Sequence, residues 1–190
     1  MTQIARLTLQ PKTVADAEPV ARAALASSLK NLGFVPNMYA NMANSPGVLS
    51  TYLAGYDHFR KESTFSATEQ EVVFLTVSSF NGCTYCVAAH SMIADKMSNV
   101  APATLQALRA GTSLPDSKLQ ALAVFTQIML NSRGSPTLVQ FKEFLSAGFS
   151  ERQVLEIILA IAVKTLSNYS NHVFSTEVDA AFSGYRWSKP

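Results

Sequence analysis

Charge is scarce in this chain. Lys, Arg, Asp and Glu make up 15% of its 190 residues, against 48% hydrophobic residues. So small a charged fraction leaves much of the outside to be covered by something else, and a homo-oligomer is expected. The net charge of +2 is scattered without a basic patch, which argues against a nucleic-acid partner. No apolar run approaches the ~20 residues of a membrane helix, so no membrane association is expected. The longest run, near Ile157–Val163, reads as a buried helix. The opening MTQIARLTLQPK lacks the apolar core of a secretion signal, and a cytoplasmic location is expected. No segment alternates with a period of two, which excludes strands and leaves an all-α chain. Cysteine occurs twice and histidine three times, so their placement carries information. In a reducing compartment a C-x-x-C pair is more often redox-active or metal-binding than a structural disulfide.

The chain is long enough for one substantial core, and a single all-α domain over 1–190 with about eight to ten helices is expected. An N-terminal helical part (1–64) opens with an extended arm over residues 1–15. The core spans 65–182, and 183–190 form a tail whose Trp187 is expected to pack against a neighbouring subunit. Helices are predicted from Pro19 to Leu32, from Met38 to Ala43, from Pro46 or Gly47 to Lys61, and over 102–110. Two more follow, one with Leu119, Leu122, Phe125 and Met129 on its inner face and one from Thr137 to Ala147.

The reactive chemistry gathers in FSATEQEVVFLTVSSFNGCTYCVAAHSMIADK, residues 65–96, which holds both cysteines and one histidine. Ser66 and Glu69 form a capping box, so a helix starts near Ala67. Val72, Val73, Leu75, Val77 and Phe80 mark it as buried. Asn81-Gly82 breaks the chain, and a second helix starts at Cys83 or Thr84. If the two helices fold back on each other, Glu71 lies ~15 Å before the turn and His90 ~12 Å after it, side by side. Cys86 and His90 share a helical face, with Cys83 on nearly the same stripe. A helix N-terminus also favours thiolate over thiol. The four groups can therefore form an activated cysteine with a histidine base and an orienting carboxylate.

Other readings stand beside this one. The cysteines can be small core residues, His90 a satisfied core histidine, and Glu71 a favourable first-turn charge. The sharper rival is a zinc site with Cys83, Cys86, His90 and Glu71 as ligands, although three of the four fall in one helical stretch. Tyr85 either donates a hydrogen bond near the site or fills space. Asn168, Asn171 and His172 suit hydrogen bonding between helices or subunits, and His58 suits the surface. A weak repeat appears at an offset of 85, carrying Glu71 to Glu156, Cys83 to Asn168, Cys86 to Asn171 and His90 to Ser175. It suggests a duplicated helical hairpin whose second copy has no thiols.

The E-x11-C-x2-C-x3-H spacing, with the run NGCTYCVAAH, resembles the alkyl hydroperoxidase D-like branch of the carboxymuconolactone decarboxylase family. GFVPNMYANMANSP, QALAVFTQ and LSNYSNHVFSTEVD extend the likeness to its peroxidase-related members over roughly residues 30–182. The resemblance implies a thiol peroxidase that needs no cofactor and no metal. In it Cys86 attacks the peroxide as thiolate and Cys83, at the more exposed helix start, resolves the sulfenic acid. His90 takes the thiol proton, directly or through water, and Glu71 orients His90. A dithiol donor, lipoyl-bearing or thioredoxin-like, restores the pair, and the subunits form dimers, trimers or hexamers. Tyr85 stands where the best-known hydroperoxidases carry a relay histidine. The family's other name points to a ring-lactone decarboxylase, a chemistry with no use for a C-x-x-C pair. A non-enzymatic redox sensor or zinc-stabilised scaffold is the remaining alternative.

Overall fold

The computed structural model describes residues 4–190, and the described residues are helical with no strand. In chain order the α-helices are α1 (Pro19–Leu32), α2 (Asn37–Met42), α3 (Pro46–Glu62), α4 (Ala67–Phe80), α5 (Thr84–Lys96), α6 (Pro102–Ala110), α7 (Ser117–Asn131), α8 (Leu138–Ser146) and α9 (Glu151–Phe174). A 3₁₀ segment, Ala180–Tyr185, follows.

Local chemistry sets these limits. Proline occupies the first turn of α1, α3 and α6, where its missing N–H costs nothing. The Ser66–Glu69 capping box starts α4, with Glu69 N–H donating to Ser66 Oγ at 3.3 Å and Ser66 N–H to Glu69 Oε2 at 2.9 Å. At the other end Gly82 adopts φ +70°, while Cys83 N–H reaches Ser78 O at 2.9 Å and Gly82 N–H reaches Ser79 O at 3.0 Å. That left-handed turn closes α4 and delivers the chain directly into α5, with Cys83 as N-cap.

The molecule is built around α4, which packs against α5, α6, α7 and α9. Every residue of α4 from Glu69 to Ser78 is buried, which is why its apolar side chains are not confined to one stripe. Val72, Val73, Phe74 and Val77 are wholly inaccessible, and each contributes on the order of 1.5–3 kcal/mol by leaving water. A second contact fixes α9 against α3. A Cβ at Gly55 would lie 2.7 Å from Val163 Cγ2, so the two helices meet there through a residue with no side chain.

Two expectations need correction. The duplicated hairpin does not form, because α9 runs unbroken through Leu166-Ser167, the positions that match Asn81-Gly82. Neither residue is a helix breaker, and the chain turns only at Ser175. Trp187 stays half-buried, its Nε1 donating to the Arg109 carbonyl of its own chain at 2.7 Å. Cys83 is not exposed: the turn that introduces α5 is covered, and Cys83 is 0% accessible.

Candidate active site

Glu71, in the buried middle of α4, has 0% accessibility, and its carboxylate is held from two sides. Oε2 lies 2.9 Å from His90 Nδ1, and Oε1 lies 2.5 Å from the Arg60 guanidinium of α3. Arg60 in turn sits 5.0 Å from the Tyr56 ring centroid and 4.9 Å from that of Phe74, so aromatic faces support its charge where water is sparse. The turn at Asn81–Cys83 thus brings Glu71 and His90 together across α4 and α5, in keeping with their spacing in the sequence.

The other nitrogen of His90 is also occupied. Nε2 lies 2.9 Å from Nζ of Lys164, a lysine of α9 that is only 1% accessible. A carboxylate accepts only and an ammonium donates only, so neutral His90 carries its proton on Nδ1 and accepts at Nε2. Burial, reinforced by Lys164, pushes His90 down to about 4, so the ring is neutral at physiological pH. Burial works to raise Glu71, but His90 and Arg60 outweigh it and hold the carboxyl below its ordinary value. With His90 neutral, the full charge facing Glu71 at neutral pH is that of Arg60.

The two thiols are free and buried. Cys83, as N-cap, accepts the Cys86 N–H at 3.5 Å. Asn171 of α9 points its amide at both sulfurs, 3.3 Å from Cys86 Sγ and 3.6 Å from Cys83 Sγ, and Ser167 Oγ lies 3.7 Å from Cys86 Sγ. Burial disfavours an anion at Cys86, yet the hydrogen bond with Cys83 and the charge of Lys164 outweigh it and hold the thiol well below its usual range. Cys83 moves the opposite way, raised by its hydrogen bond to Cys86 and by burial. The two thiols are thus pushed in opposite directions, and Cys86 is the more acidic of the pair.

A cavity of about 430 Å³ opens between Leu32, Phe34 and Met97 and ends at Cys86, His90 and Lys164. Its walls are apolar and aromatic, with Tyr39, Tyr52, Tyr56 and Tyr85 along them. Cys86 forms part of this wall; Cys83 lies behind it, covered. The Tyr85 hydroxyl donates to Asp179 at 2.5 Å, and Asp179 also accepts the Asn37 N–H at 3.1 Å. That hydroxyl is committed to tying the 3₁₀ segment and α2 to α5, while its ring shapes the cavity. His58 and His172 are both exposed. Among the described residues no three His, Cys, Asp or Glu side chains form a cluster able to hold a metal ion. His90 has no nitrogen left for one.

Motif spacing does not single out Arg60, Lys164, Ser167 or Asn171 as site residues. The last three, with Asn168, share one face of α9 at positions i, i+3, i+4 and i+7, all buried. A polar stripe at helical period inside an apolar helix is the signal that the sequence offers for them. The positions that the repeat matches to Cys83 and Cys86 lie across from them. Asn171 touches the thiols, and Asn168 accepts from Asn81 at 2.9 Å.

Fold and site together define an all-α protein with a buried dithiol at the end of an apolar cavity. The model of the Carboxymuconolactone decarboxylase family matches residues 46–127, the span that contains Arg60, Glu71, both cysteines and His90. Over that span the chain resembles the family, and its fold is that of a solved alkylhydroperoxidase core. It superposes on the alkylhydroperoxidase AhpD core of Ralstonia eutropha JMP134, described as an uncharacterized peroxidase-related protein. The TM-score is 0.81 and the identity 20%, over 96% of this chain and 96% of that chain. A peroxidase-related protein from Silicibacter sp. TM1040 gives 0.75 and 23%, over 93% and 98%. The debrominase Bmp8, as a cysteine-to-alanine variant in complex with 2,3,4-tribromopyrrole, gives 0.74 and 21%, over 95% and 96%. At such identities the likeness is one of fold. None of the curated proteins compared matches the chain.

Proposed function

We propose that the protein is a thiol-dependent peroxidase acting on organic hydroperoxides. One observation carries the reading: Cys86, which accepts from the Asn171 amide and shares its cavity with the buried Lys164, is the thiol on the wall of that apolar cavity. An anionic sulfur there attacks the terminal peroxide oxygen and becomes a sulfenic acid while the alcohol leaves. The Cys83 thiol, within reach behind it, then forms the disulfide and releases water. Glu71 and His90 serve as the relay that holds the charges in place, and no cofactor or metal is required. A dithiol donor reduces the disulfide. Because both sulfurs are covered, a slender lipoyl-type arm entering the cavity suits the site better than the flat surface of a thioredoxin-like protein.

The test is peroxide consumption by the purified protein with a panel of dithiols. Cumene hydroperoxide should be consumed faster than hydrogen peroxide, since only the larger substrate fills the cavity. No turnover with any dithiol, or bound stoichiometric zinc lost in Cys83→Ser, would favour the sensor or scaffold reading.

A second reading uses the same two electrons. The cavity is rich in aromatic walls, and a relative in fold is a debrominase crystallised with a brominated pyrrole. Reductive removal of bromide from a small aromatic ring would convert the two thiols to the same disulfide, and bromide release assayed beside peroxide loss separates the two.

A further inference from the structure

We propose that Cys86 rests as a thiolate paired with the buried ammonium of Lys164, and that Lys164, not His90, is the proton donor to the departing oxygen. The inference deepens the peroxidase reading and rests on it for its second half.

The charge count leads there. The enclosed cluster holds two cations, Arg60 and Lys164, and one carboxylate, Glu71. Glu71 is already taken by Arg60 on one oxygen and His90 on the other. Among the described residues no carboxylate lies within ion-pair distance of Lys164, although its accessibility is 1%. A buried cation without an anion is costly, by several kcal/mol in typical proteins. The other titratable groups around it do not supply the charge. Tyr52, Tyr56 and Tyr85 are held in the protonated form by burial, as is Tyr39, and His90 is neutral. Cys83 has been raised by its hydrogen bond to Cys86. Cys86 is the acid that remains, it lines the same cavity as Lys164, the Asn171 amide donates to its sulfur at 3.3 Å, and Ser167 Oγ stands 3.7 Å away as the acceptor of its thiol proton.

His90 cannot fill this role in the arrangement seen. Its Nε2 lone pair already accepts from Lys164, and its Nδ1 proton is given to Glu71. Arg60, Glu71 and His90 instead form a chain that positions Lys164, with the ammonium also 5.3 Å from the Phe74 ring centroid. The reaction then keeps the interior neutral. As the Cys86 sulfur bonds to the terminal oxygen of R–O–O–H, the O–O bond breaks and the leaving alkoxide takes a proton from Lys164. The products are a sulfenic acid, an alcohol and a neutral amine. The Cys83 thiol next forms the S–S bond while its proton leaves with the hydroxyl as water. Reduction by a dithiol returns one proton to Lys164 and one anion to Cys86. Positive and negative charge disappear and return together.

Thiolate absorbance near 240 nm, followed against pH on the reduced protein, tests the resting state without using peroxide. Reduced wild type should show about one thiolate at pH 7 that is lost in acid. In Lys164→Met, close in shape and neutral, the midpoint should rise by at least one pH unit, and alkylation of Cys86 at pH 7 should fall about tenfold or more. Lys164→Arg, which keeps the charge, should recover part of the loss, which a merely structural role would not predict. Absence of thiolate in wild type at pH 7 overturns the proposal, and this measurement does not depend on any variant folding. An unchanged midpoint in a folded Lys164→Met protein overturns it equally. A Lys164-dependent thiolate without peroxide turnover would refute the peroxidase reading and leave the ion pair standing.

Discussion

Replacing His90 with Gln should remove most of this protein's loss of stability between pH 6.5 and 4. The folded chain keeps His90 neutral down to about 4, against an ordinary value of 6.5. Within that window the unfolded chain binds a proton that the folded chain refuses, so stability falls as pH falls. The gap of about 2.5 pH units corresponds to about 3 kcal/mol at 1.36 kcal/mol per unit. For a chain of 190 residues this is a drop of about 6–12 °C in Tm. Glu71 has the opposite placement: its lowered value means that its contribution is present above the ordinary carboxyl range and is lost only in stronger acid. Cys86, also lowered, loses its contribution as pH falls through its folded value, and does so in wild type and variant alike. The informative quantity is therefore the difference between the two proteins. Thermal melts of both, reduced, at pH 7, 5.5 and 4.5 give it directly. Parallel curves would refute the reasoning, because they would mean that His90 titrates normally in the folded chain.

The cysteines should be unequal. Cys83→Ser should react once with peroxide and leave a sulfenic acid on Cys86 that a dimedone probe labels, whereas Cys86→Ser should show no reaction; the reverse pattern assigns the roles the other way. Gly55→Ala should destabilise the fold by about 1–3 kcal/mol in a chemical melt despite alanine's higher helix propensity. Its new Cβ would sit 2.7 Å from Val163, the neighbour of Lys164, so Cys86 alkylation should change as well; an unchanged melt would mean that the α3–α9 contact gives way freely. The protein should form a homo-oligomer, for which exposed Leu155, Ile158, Tyr169 and Val173 along α9 offer an apolar face. Light scattering that gives a monomer across dilution would contradict this.

The first half of the site is legible in the sequence because its signals are local. The Ser66–Glu69 box, the Asn81-Gly82 break and the C-x-x-C spacing each act within a few residues, and together they fix how Glu71 meets His90. The partners from α3 and α9 are hidden for different reasons. Arg60 sits beside exposed His58 and Lys61, and nothing local tells which of these cations turns inward. Lys164 follows the apolar run Ile157–Val163, where a lysine reads as the polar edge of a helix rather than its interior. Matching the later segment onto the first hairpin adds to the error, since it places a turn at Leu166-Ser167, inside an unbroken helix. A helix start suggests exposure for Cys83, but the covering helices come from distant parts of the chain.

The groups around Cys86 would bear on the dithiol–disulfide equilibrium of the proposed reaction as well as on the attack. The charge of Lys164 and the amide of Asn171 favour a sulfur that bears charge, and in the disulfide there is none to favour. Their effect falls on the reduced pair alone, as in thiol oxidants whose reduced form is the stabilised one. In a pair that cycles as proposed, the couple is thereby shifted toward the dithiol, and the oxidised protein would accept electrons readily even from a weak donor. A sensor that must remember an oxidant benefits from the opposite poise. A pair that discharges its oxidation at the first suitable encounter is suited to repeated use.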